Sequence, residues 1–290
     1  MERCQGPLEA RAKVNLYLHV TGRRADGYHE LDSLFVRVDV ADRIWLSLAE
    51  RDALDLTGPF GKALAGEPEQ DNLVMRAVDA VRRSTGYDGG FCVRLEKNLL
   101  PASGLGGGSA DAAAALKGAA SLLGGVADLH VLAQGLGADV PPCLHDKPVR
   151  VSGIGEIIAP AAGLPAAALV LVNPGTPLST PTVFAARQGA FSDARPPVDP
   201  LETIDDLVDA LALRSNDLEA PARTLVPAVG DVLDAVAATD RCRLARMSGS
   251  GATCFGLYED VAAAAAAAEG LSAVRPEWWV RACTMGVGGV

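Results

Sequence analysis

A glycine-rich segment that leads into an alanine-rich run is the part of the sequence most suited to chemistry. Residues 104–109, called the glycine loop below, read Gly-Leu-Gly-Gly-Gly-Ser and are followed by Ala110 and Asp111. Glycine adopts positive φ angles and lets backbone N–H groups come close to a ligand. At the start of a helix these groups lie at the positive end of the helix dipole. The segment therefore predicts an anion site suited to a polyphosphate, to which Ser109 adds a hydroxyl.

Two familiar phosphate motifs do not fit the glycine loop. A P-loop needs a lysine directly after its glycines, and none follows here. The dinucleotide fingerprint needs glycine or alanine at its sixth position, which is Ser109 in this chain. A flexible linker before a helix is the remaining alternative, but linkers seldom place such a glycine core against so strong a helix start. We therefore interpret the segment as a phosphate-binding loop of another kind.

Two charged residues have ordinary interpretations when only their surroundings are considered. Lys13 lies in a segment, residues 12–20, whose alternating polar and apolar residues predict a strand. On spacing alone it is most simply a solvated strand lysine. Asp139 stands shortly before Pro141, and on spacing alone it is most simply a turn or capping carboxylate.

Four further residues leave functional and structural interpretations open. Tyr28 and His29 follow an Asp-Gly turn. A tyrosine ring can stack on a pyrimidine and a histidine can hydrogen-bond its edge, or the aromatic ring could simply cover the core. Lys97 could be a surface lysine before the glycine loop. Asp111 could be a carboxylate that favours the dipole in the first turn of the following helix.

Composition limits the classes of protein to which the chain can belong. It has 290 residues and a net charge of −10, which argues against a general nucleic-acid binder. The six cysteines are scattered without a Cys-x-x-Cys pair, as expected for reduced thiols in the cytoplasm. The N-terminus shows no apolar signal segment, and no apolar run is long enough to cross a membrane. We expect a cytoplasmic globular protein without nucleic-acid or membrane partners.

Hydrophobic periodicity predicts a mixed order of strands and helices. Strands are predicted at residues 12–20, 34–40, 43–48, 91–95, 149–151, 156–158, 168–173, 244–247, 254–258 and 278–283. Helices are predicted at residues 71–84, 109–123, 129–136, 204–213, 227–238 and 261–271. A polar turn at Asp42 separates the second and third strands, and Asp71 is the predicted N-cap of the first helix, which stops before Gly86. This order favours an α+β fold, with a domain boundary near residue 160.

Three segments, in order along the chain, resemble the motifs of the GHMP kinases, which include galactokinase, homoserine kinase and mevalonate kinase. Residues 12–18 (AKVNLYL) are similar to the N-terminal motif, residues 97–114 (KNLLPASGLGGGSADAAA) to the ATP motif, and residues 247–253 (MSGSGAT) to the C-terminal glycine motif. The resemblance implies a ribosomal protein S5-like N-terminal domain over residues 1–160. It also implies a ferredoxin-like C-terminal domain over residues 161–290.

Four shorter segments resemble the members of this superfamily that act on 4-diphosphocytidyl-2-C-methyl-D-erythritol. They are residues 21–31 (TGRRADGYHEL), 136–141 (LGADVP), 153–158 (GIGEII) and 173–184 (NPGTPLSTPTVF). One departure is visible, because the family usually has a proline where Leu100 stands, one position before Pro101. We expect this departure to shift the shape of the loop slightly.

The resemblance implies a role for particular residues of this chain. Asp139 is the implied catalytic base and Lys13 its partner, which would hold Asp139 ionised and stabilise the attacking oxygen. The residues implied to bind ATP are Asn72, Lys97, Pro101, Ala102, Ser103, Gly104, Leu105, Gly106, Gly107, Gly108, Ser109, Ala110 and Asp111. The residues implied to bind the substrate are Asn15, Tyr28, His29, Thr180 and Phe184.

The implied reaction is ATP-dependent phosphorylation of the 2-hydroxyl of the cytidyl diphosphate-linked polyol, in the non-mevalonate route to isopentenyl diphosphate. Mg²⁺ is expected because kinases use ATP as its magnesium complex. We expect a monomer or a weak homodimer and name no protein ligand for the metal. Two alternatives remain: another GHMP kinase, of homoserine or mevalonate type, and a nucleotide-binding regulator that keeps the fold without catalysis.

Overall fold

A computed structural model describes residues 4–64, 66, 68–126, 128–161, 163–193, 195–196 and 200–286. The chain forms two compact units, each assembled from separate stretches of sequence. Unit 1 takes the described residues within Met1–Ala12, Val40–Pro101 and Gly106–His145, and unit 2 takes those within Lys13–Asp39, Ala102–Leu105 and Asp146–Val290. Because these units are discontinuous in sequence, the boundary near residue 160 stays a prediction about the family domains.

Unit 1 packs helices against a sheet. Strand β1 (Cys4–Arg23) pairs with β2 (His29–Ala49), and both strands contribute residues to the two units. Within unit 1, β4 (Gly90–Glu96) pairs antiparallel with β2 from Arg43 to Ala49, and β3 (Ala53–Thr57) pairs parallel with β4. The helices of unit 1 are α1 (Leu73–Thr85), α2 (Gly107–Leu122), α3 (Leu129–Gln134) and α4 (Val140–Cys143). The buried core lies between α1, α2 and the apolar faces of β2 and β4.

The predicted turn at Asp42 was wrong, because β2 continues without interruption through this residue. Asp42 is fully buried. Its carboxylate accepts hydrogen bonds from the backbone N–H groups of Asn98 at 2.5 Å and Leu99 at 2.8 Å. A buried acid can lie within a strand when such donors replace the water that it loses. The polar residue therefore marks a buried contact rather than a chain reversal.

Helix α1 begins one residue later than predicted and ends where predicted. Asp71, the predicted N-cap, ends a short 3-10 helix at Glu69–Asp71. Asn72 is the N-cap instead, and its side-chain oxygen accepts a hydrogen bond from Val74 N at 2.9 Å. The predicted end at Gly86 is confirmed, since this glycine adopts a left-handed φ of 69° after the last helical turn.

Unit 2 contains a second, fully antiparallel sheet with strands in the order β10-β7-β9-β8. These strands are β7 (Ala168–Asn173), β8 (Leu244–Met247), β9 (Cys254–Tyr258) and β10 (Trp279–Thr284). Every residue of β7 is buried, as its continuous apolar sequence predicted. In the same unit, β5 (Val149–Gly153) pairs with residues Leu31–Phe35 of β2 and with β6 (Ile157–Pro160).

The helices of unit 2 complete the α+β fold, which confirms the predicted class. They are α5 (Thr180–Ala186), α6 (Ile204–Ala212), α7 (Glu219–Leu225), α8 (Ala228–Ala237) and α9 (Val261–Val274). The core of the unit lies between β7, β8 and β9 and the buried faces of α8 and α9. Within the described ranges, no helix combines the length and the apolar character needed to cross a membrane.

Candidate active site

Strand β1 carries a buried lysine and a buried asparagine on the same side, as the two-residue period predicted. The ammonium of Lys13 donates to the side-chain oxygen of Asn15 at 2.6 Å, and the Asn15 amide donates to Ser33 Oγ at 2.8 Å. Lys13 is 4 % exposed and Asn15 1 %, so the interpretation of Lys13 as a solvated strand lysine was wrong. Its Nζ also lies 4.6 Å from the ring centre of Phe35, which adds a cation–π attraction.

The same part of β1 is bonded directly to the glycine loop. Lys13 N donates to the Leu105 carbonyl at 2.9 Å. Ser248 then links three segments, because its hydroxyl accepts from Asn15 N at 3.1 Å and donates to the Gly104 carbonyl at 3.2 Å. Ser248 itself belongs to the C-terminal glycine motif, residues 247–253. All three segments that carry the family resemblance therefore meet at this junction.

The glycine loop and the C-terminal glycine motif touch backbone to backbone. Gly104 has a φ of +81°, and a Cβ placed on it would lie 2.6 Å from the Ser248 carbonyl oxygen and 2.8 Å from that of Gly251. Only glycine satisfies both the angle and the space. Next to this contact, Thr253 N donates to the Ser103 carbonyl at 3.1 Å. The beginning of the glycine loop is thus fixed by main-chain contacts.

Asn216 supports the C-terminal glycine motif, and sequence reasoning missed it. Its amide donates to the Met247 carbonyl at 2.7 Å and to the Gly249 carbonyl at 2.8 Å, while its oxygen accepts from Leu218 N at 2.9 Å. The last bond is an Asx-type turn, which the Asn-Asp-Leu sequence could have indicated. The two bonds to the motif join residues about thirty positions apart and leave no local signal.

Helix α2 begins earlier than the sequence predicted. Gly106 is its N-cap with a φ of +63°, and Gly107 and Gly108 already belong to the first turn, in place of a start at Ser109. The first N–H groups of an α-helix have no partner inside the helix, and they point out along its axis. Here those groups belong to the end of the glycine loop, which is the arrangement that binds phosphate.

Lys97 lies inside the protein beside two carboxyl groups. Its Nζ donates to Asp42 at 2.5 Å and to Asp111 at 2.7 Å, and the lysine is 2 % exposed. The interpretation of Lys97 as a surface lysine was therefore wrong. Asp111 lies beyond the first turn of α2, and its side chain faces this lysine, so the helix-dipole role was wrong too.

Burial and charge shift the acid–base properties of this cluster. Burial raises the pKa of Asp111 to about 8, with Lys97 opposing the shift and Asp42 adding to it. Burial alone would lower the pKa of Lys97, but attraction to Asp111 and Asp42 outweighs it, so the pKa is raised. The lysine remains charged, and one of the two acids holds a proton more readily than a free carboxyl group does.

Three of the residues predicted to bind the substrate, His29, Thr180 and Phe184, make side-chain contacts in unit 2. His29 stacks on Phe184 with ring centres 5.0 Å apart and planes at 24°. Burial lowers the pKa of His29, and the charges of Arg23 and Arg187 lower it further, so the ring is neutral near pH 7. Beside them, Thr180 at the start of α5 shares a 2.7 Å hydrogen bond with Ser250.

The structure rules out the core-covering explanation for Tyr28, whereas Asp139 does lie in a turn, as its simplest explanation had it. Tyr28 is 62 % exposed, so it does not cover the core. Asp139 belongs to unit 1 and occupies the N-cap position of α4, where its side chain makes no capping hydrogen bond to the described residues. The pairing of Asp139 with Lys13 stays a prediction.

Pro101 stands one position later than the proline of the family motif. The next residue, Ala102, has a left-handed conformation with φ of 49°.

The chain is similar to known proteins in its family motifs, its sequence and its fold. The family model for the GHMP kinases N terminal domain matches residues 72–147, and the model for GHMP kinases C terminal matches residues 201–276. A 4-diphosphocytidyl-2-C-methyl-D-erythritol kinase of Paramagnetospirillum magneticum is 51 % identical over 276 residues, which cover 94 % of this chain and 96 % of the relative. One of Parvibaculum lavamentivorans is 50 % identical over 283 residues, covering 96 % and 97 %.

A solved structure agrees with these relatives. The crystal structure of a 4-(cytidine 5'-diphospho)-2C-methyl-D-erythritol kinase superposes with a TM-score of 0.78 at 37 % identity, and both chains are covered completely. The chain therefore belongs to the GHMP kinases, and within them to the family of 4-diphosphocytidyl-2-C-methyl-D-erythritol kinases.

Proposed function

We propose that this kinase transfers the γ-phosphoryl group of ATP to the 2-hydroxyl of 4-diphosphocytidyl-2-C-methyl-D-erythritol. The products are the 2-phosphate and ADP, in the non-mevalonate route to isopentenyl diphosphate. The observation that carries the proposal is the junction in unit 2, where Ser248 links the strand of Lys13 to the glycine loop. Family membership supplies the identity of the substrate.

Binding of ATP is proposed for the glycine loop and the start of α2. The left-handed φ values at Gly104 and Gly106 and the free N–H groups of the first helical turn support it. Phosphoryl transfer needs little covalent chemistry from the protein, so that positioning and neutralisation of charge account for most of the catalysis. Asn72, the N-cap of α1, and residues 101–103, which precede the glycine loop, are proposed to complete the nucleotide site.

Catalysis is proposed for Lys13 and Asp139. Asp139 would accept the proton of the 2-hydroxyl as the alcohol attacks the γ-phosphorus. Lys13 would stabilise the negative charge that develops on the attacking oxygen. Its bond to the Asn15 oxygen supports this role, because an acceptor fixes the direction of the ammonium without removing its charge. Asn15 is also proposed to lie near the polyol.

Recognition of the cytidyl group is proposed for Tyr28, His29 and Phe184. The exposed Tyr28 ring is available for stacking on the pyrimidine, and the His29–Phe184 stack offers a flat, neutral surface with hydrogen-bonding nitrogen atoms. Thr180 would add a hydroxyl to the polyol site. Its bond to Ser250 supports this placement, since Ser250 belongs to the C-terminal glycine motif.

Mg²⁺ is proposed to arrive with ATP. Among the residues that the structure describes, no group of three or more His, Cys, Asp or Glu side chains could hold a metal ion. We assign the ion no protein ligand. When bound, the ion would neutralise charge on the phosphates.

A cytoplasmic location and the absence of nucleic-acid partners are also proposed. Free thiols at Cys4, Cys92, Cys242, Cys254 and Cys283 suit a reducing compartment. The net charge of −10 disfavours binding to nucleic acid. In solution we propose a monomer or a weak homodimer.

A substrate panel tests the proposal. The purified protein is incubated with γ-labelled ATP and with the cytidyl alcohol, homoserine or mevalonate, and label transfer is followed. Label is expected on the cytidyl alcohol alone, and Lys13→Met is expected to abolish it. Labelling of mevalonate in place of the cytidyl alcohol would favour the alternative GHMP kinase. Tight ATP binding without any transfer would favour the non-catalytic regulator.

A further inference from the structure

The cluster of Asp42, Lys97 and Asp111 in unit 1 brings one cation together with two acids in a place that excludes water. The three residues are 0 %, 2 % and 2 % exposed. Two ionised carboxylates and one ammonium would leave a net negative charge in a medium of low polarity, which is costly. One of the two acids is therefore expected to hold a proton over a wide range of pH.

The hydrogen bonds show which of the two acids holds the proton. Asp42 accepts from Lys97 Nζ and from the N–H groups of Asn98 and Leu99. These donors serve both of its oxygens, as suits an ionised carboxylate. Asp111 accepts from Lys97 through Oδ2, whereas its buried Oδ1 has no hydrogen-bond partner among the described residues. The asymmetry assigns the proton to Asp111, in agreement with its raised pKa.

The cluster lies directly behind the first turn of α2. A Cβ built on Gly107 would lie 3.5 Å from Lys97 Nζ and 3.5 Å from the Leu99 side chain. Gly107 is the first residue of the helix and follows the N-cap of the glycine loop. A change in the charge of the cluster therefore acts at the helix end where an anion is expected to bind.

The elements around Asp111 add few other groups that could compete with this effect. The charged groups that act on it are Lys97, after β4, and Asp42, on β2. The core packed around α2 is otherwise apolar, apart from the Cys143 thiol of α4.

We propose that Asp111 is a positioning residue of the ATP site, acting through Lys97. In its protonated form it shares the ammonium with Asp42 and keeps the first turn of α2 in place. When it releases its proton to solvent, an uncompensated negative charge appears behind Gly107 and weakens binding of the triphosphate. The identity of the ligand rests on the proposed function, whereas the acid–base behaviour of the cluster does not.

The test compares the wild type with Asp111→Asn across pH. Calorimetry gives the Kd for ATP and thermal unfolding gives the Tm, both from about pH 6.5 to about pH 9.5. Relative to the variant, the wild type is expected to lose ATP affinity several-fold with rising pH. Because the native state holds the Asp111 proton more tightly than the unfolded state, the stability from this group falls as pH rises through about 8. The Tm of the variant relative to that of the wild type should therefore increase with pH.

Two further proteins make the outcome decisive. Asp88→Asn makes the same chemical change at an exposed position of unit 1 and should follow the wild-type curves. Asp111→Ala also removes the acid while keeping the Lys97–Asp42 pair. It replaces Asp111→Asn in both measurements if the asparagine variant does not fold. Parallel pH curves for the wild type and the variants, or an equal loss of affinity at every pH, would overturn the proposal. Neither measurement uses the cytidyl alcohol. The role of Asp111 can therefore be tested even if the protein does not phosphorylate that alcohol.

Discussion

At the scale of single residues, the proposed chemistry of this kinase centres on Lys13. Its ammonium is buried, bonded to Asn15 and close to the Phe35 ring. The strand that carries it is bonded to the glycine loop through its own backbone N–H. This arrangement holds the ammonium beside the loop that we propose to bind phosphate, as a phosphoryl acceptor site requires.

Asp139→Asn tests the proposed base. The amide cannot accept the proton of the 2-hydroxyl, so kcat is expected to fall by about 10²–10⁴. The Kd for ATP should stay within about twofold of the wild type, since the residue is not proposed to bind the nucleotide. Steady-state kinetics and calorimetry measure the two quantities, with Asp88→Asn as the surface control. Full turnover by the variant would remove Asp139 from the mechanism.

Tyr28→Ala tests the cytidyl site. Because the ring is largely exposed, its loss should leave Tm nearly unchanged. The KM for the cytidyl alcohol should rise about tenfold, since stacking between a base and an aromatic ring contributes roughly 1–3 kcal/mol. Tyr28→Phe keeps the ring and should keep the KM. An unchanged KM in the alanine variant would count against stacking.

The motifs identified Lys97 and Asp111 as important, but sequence reasoning could not give their partners. Lys97 is 55 residues from Asp42 and 14 from Asp111. A local pattern carries no information on pairing over such separations, and so a buried acid in a strand looked like a turn. The proximity of Lys13 and Asn15 could be predicted, because the two-residue period of a strand places both side chains on one face.

At the scale of secondary structure, the elements predicted best were those with long or uniform patterns. Helix α1 shows apolar residues at helical spacing, and β7 is a continuous apolar run with the predicted bounds. Sequence reasoning missed α5 and α7, which are short and contain Pro181 and Pro221. Proline is acceptable in the first turn of a helix, where its missing N–H costs no bond. In a short segment, however, proline is usually interpreted as a helix breaker, so these two helices were not predicted.

Asn216→Asp tests the support of the C-terminal glycine motif. The change replaces two amide donors with an oxygen that faces the carbonyls of Met247 and Gly249. Unsatisfied and repelling buried groups should lower the free energy of unfolding by about 1–3 kcal/mol or more. Displacement of the motif should also lower kcat.

The control for Asn216→Asp is Gln188→Glu, an amide-to-acid change at an exposed position in the same unit. Urea denaturation and steady-state kinetics give the two quantities. If Asn216→Asp matched this control in both stability and kcat, Asn216 would have no supporting role.

At the scale of the whole molecule, the chain forms two compact units that are each assembled from separate stretches of sequence. β1 and β2 each contribute residues to both units. In the glycine loop, residues 104–105 belong to unit 2 and residues 106–109 belong to unit 1. Sequence patterns identify successive elements, so they predicted the α+β class correctly. They contain no signal for a unit assembled from three separate stretches, which depends on contacts distant in sequence.

Stability is expected to decrease on acidification because of His19. The ring is buried, and its Nε2 accepts a hydrogen bond from Ser215 N at 3.1 Å. Burial lowers the pKa of His19 despite the opposing charges of Asp217 and Asp32. The unfolded chain therefore binds the proton more readily. The stabilisation is complete above the usual histidine pKa of about 6.5 and is lost as pH falls below it.

His19→Gln checks this expectation, since glutamine can accept the same bond without titrating in this range. The Tm of the wild type should fall more steeply than that of the variant between about pH 7 and about pH 5. Differential scanning calorimetry at several pH values measures both curves. Equal slopes would mean that other groups dominate acid unfolding.

The main-chain contact at Gly104 limits how this enzyme can be recombined with its relatives. Carbonyl oxygens of Ser248 and Gly251 fill the space that any side chain at Gly104 would need. Neither segment can adapt to a foreign partner by changing a rotamer, because the contact contains only backbone atoms. A chimera that imports either loop from a homologue must therefore keep glycine at position 104, and libraries that vary this position should yield mostly misfolded proteins.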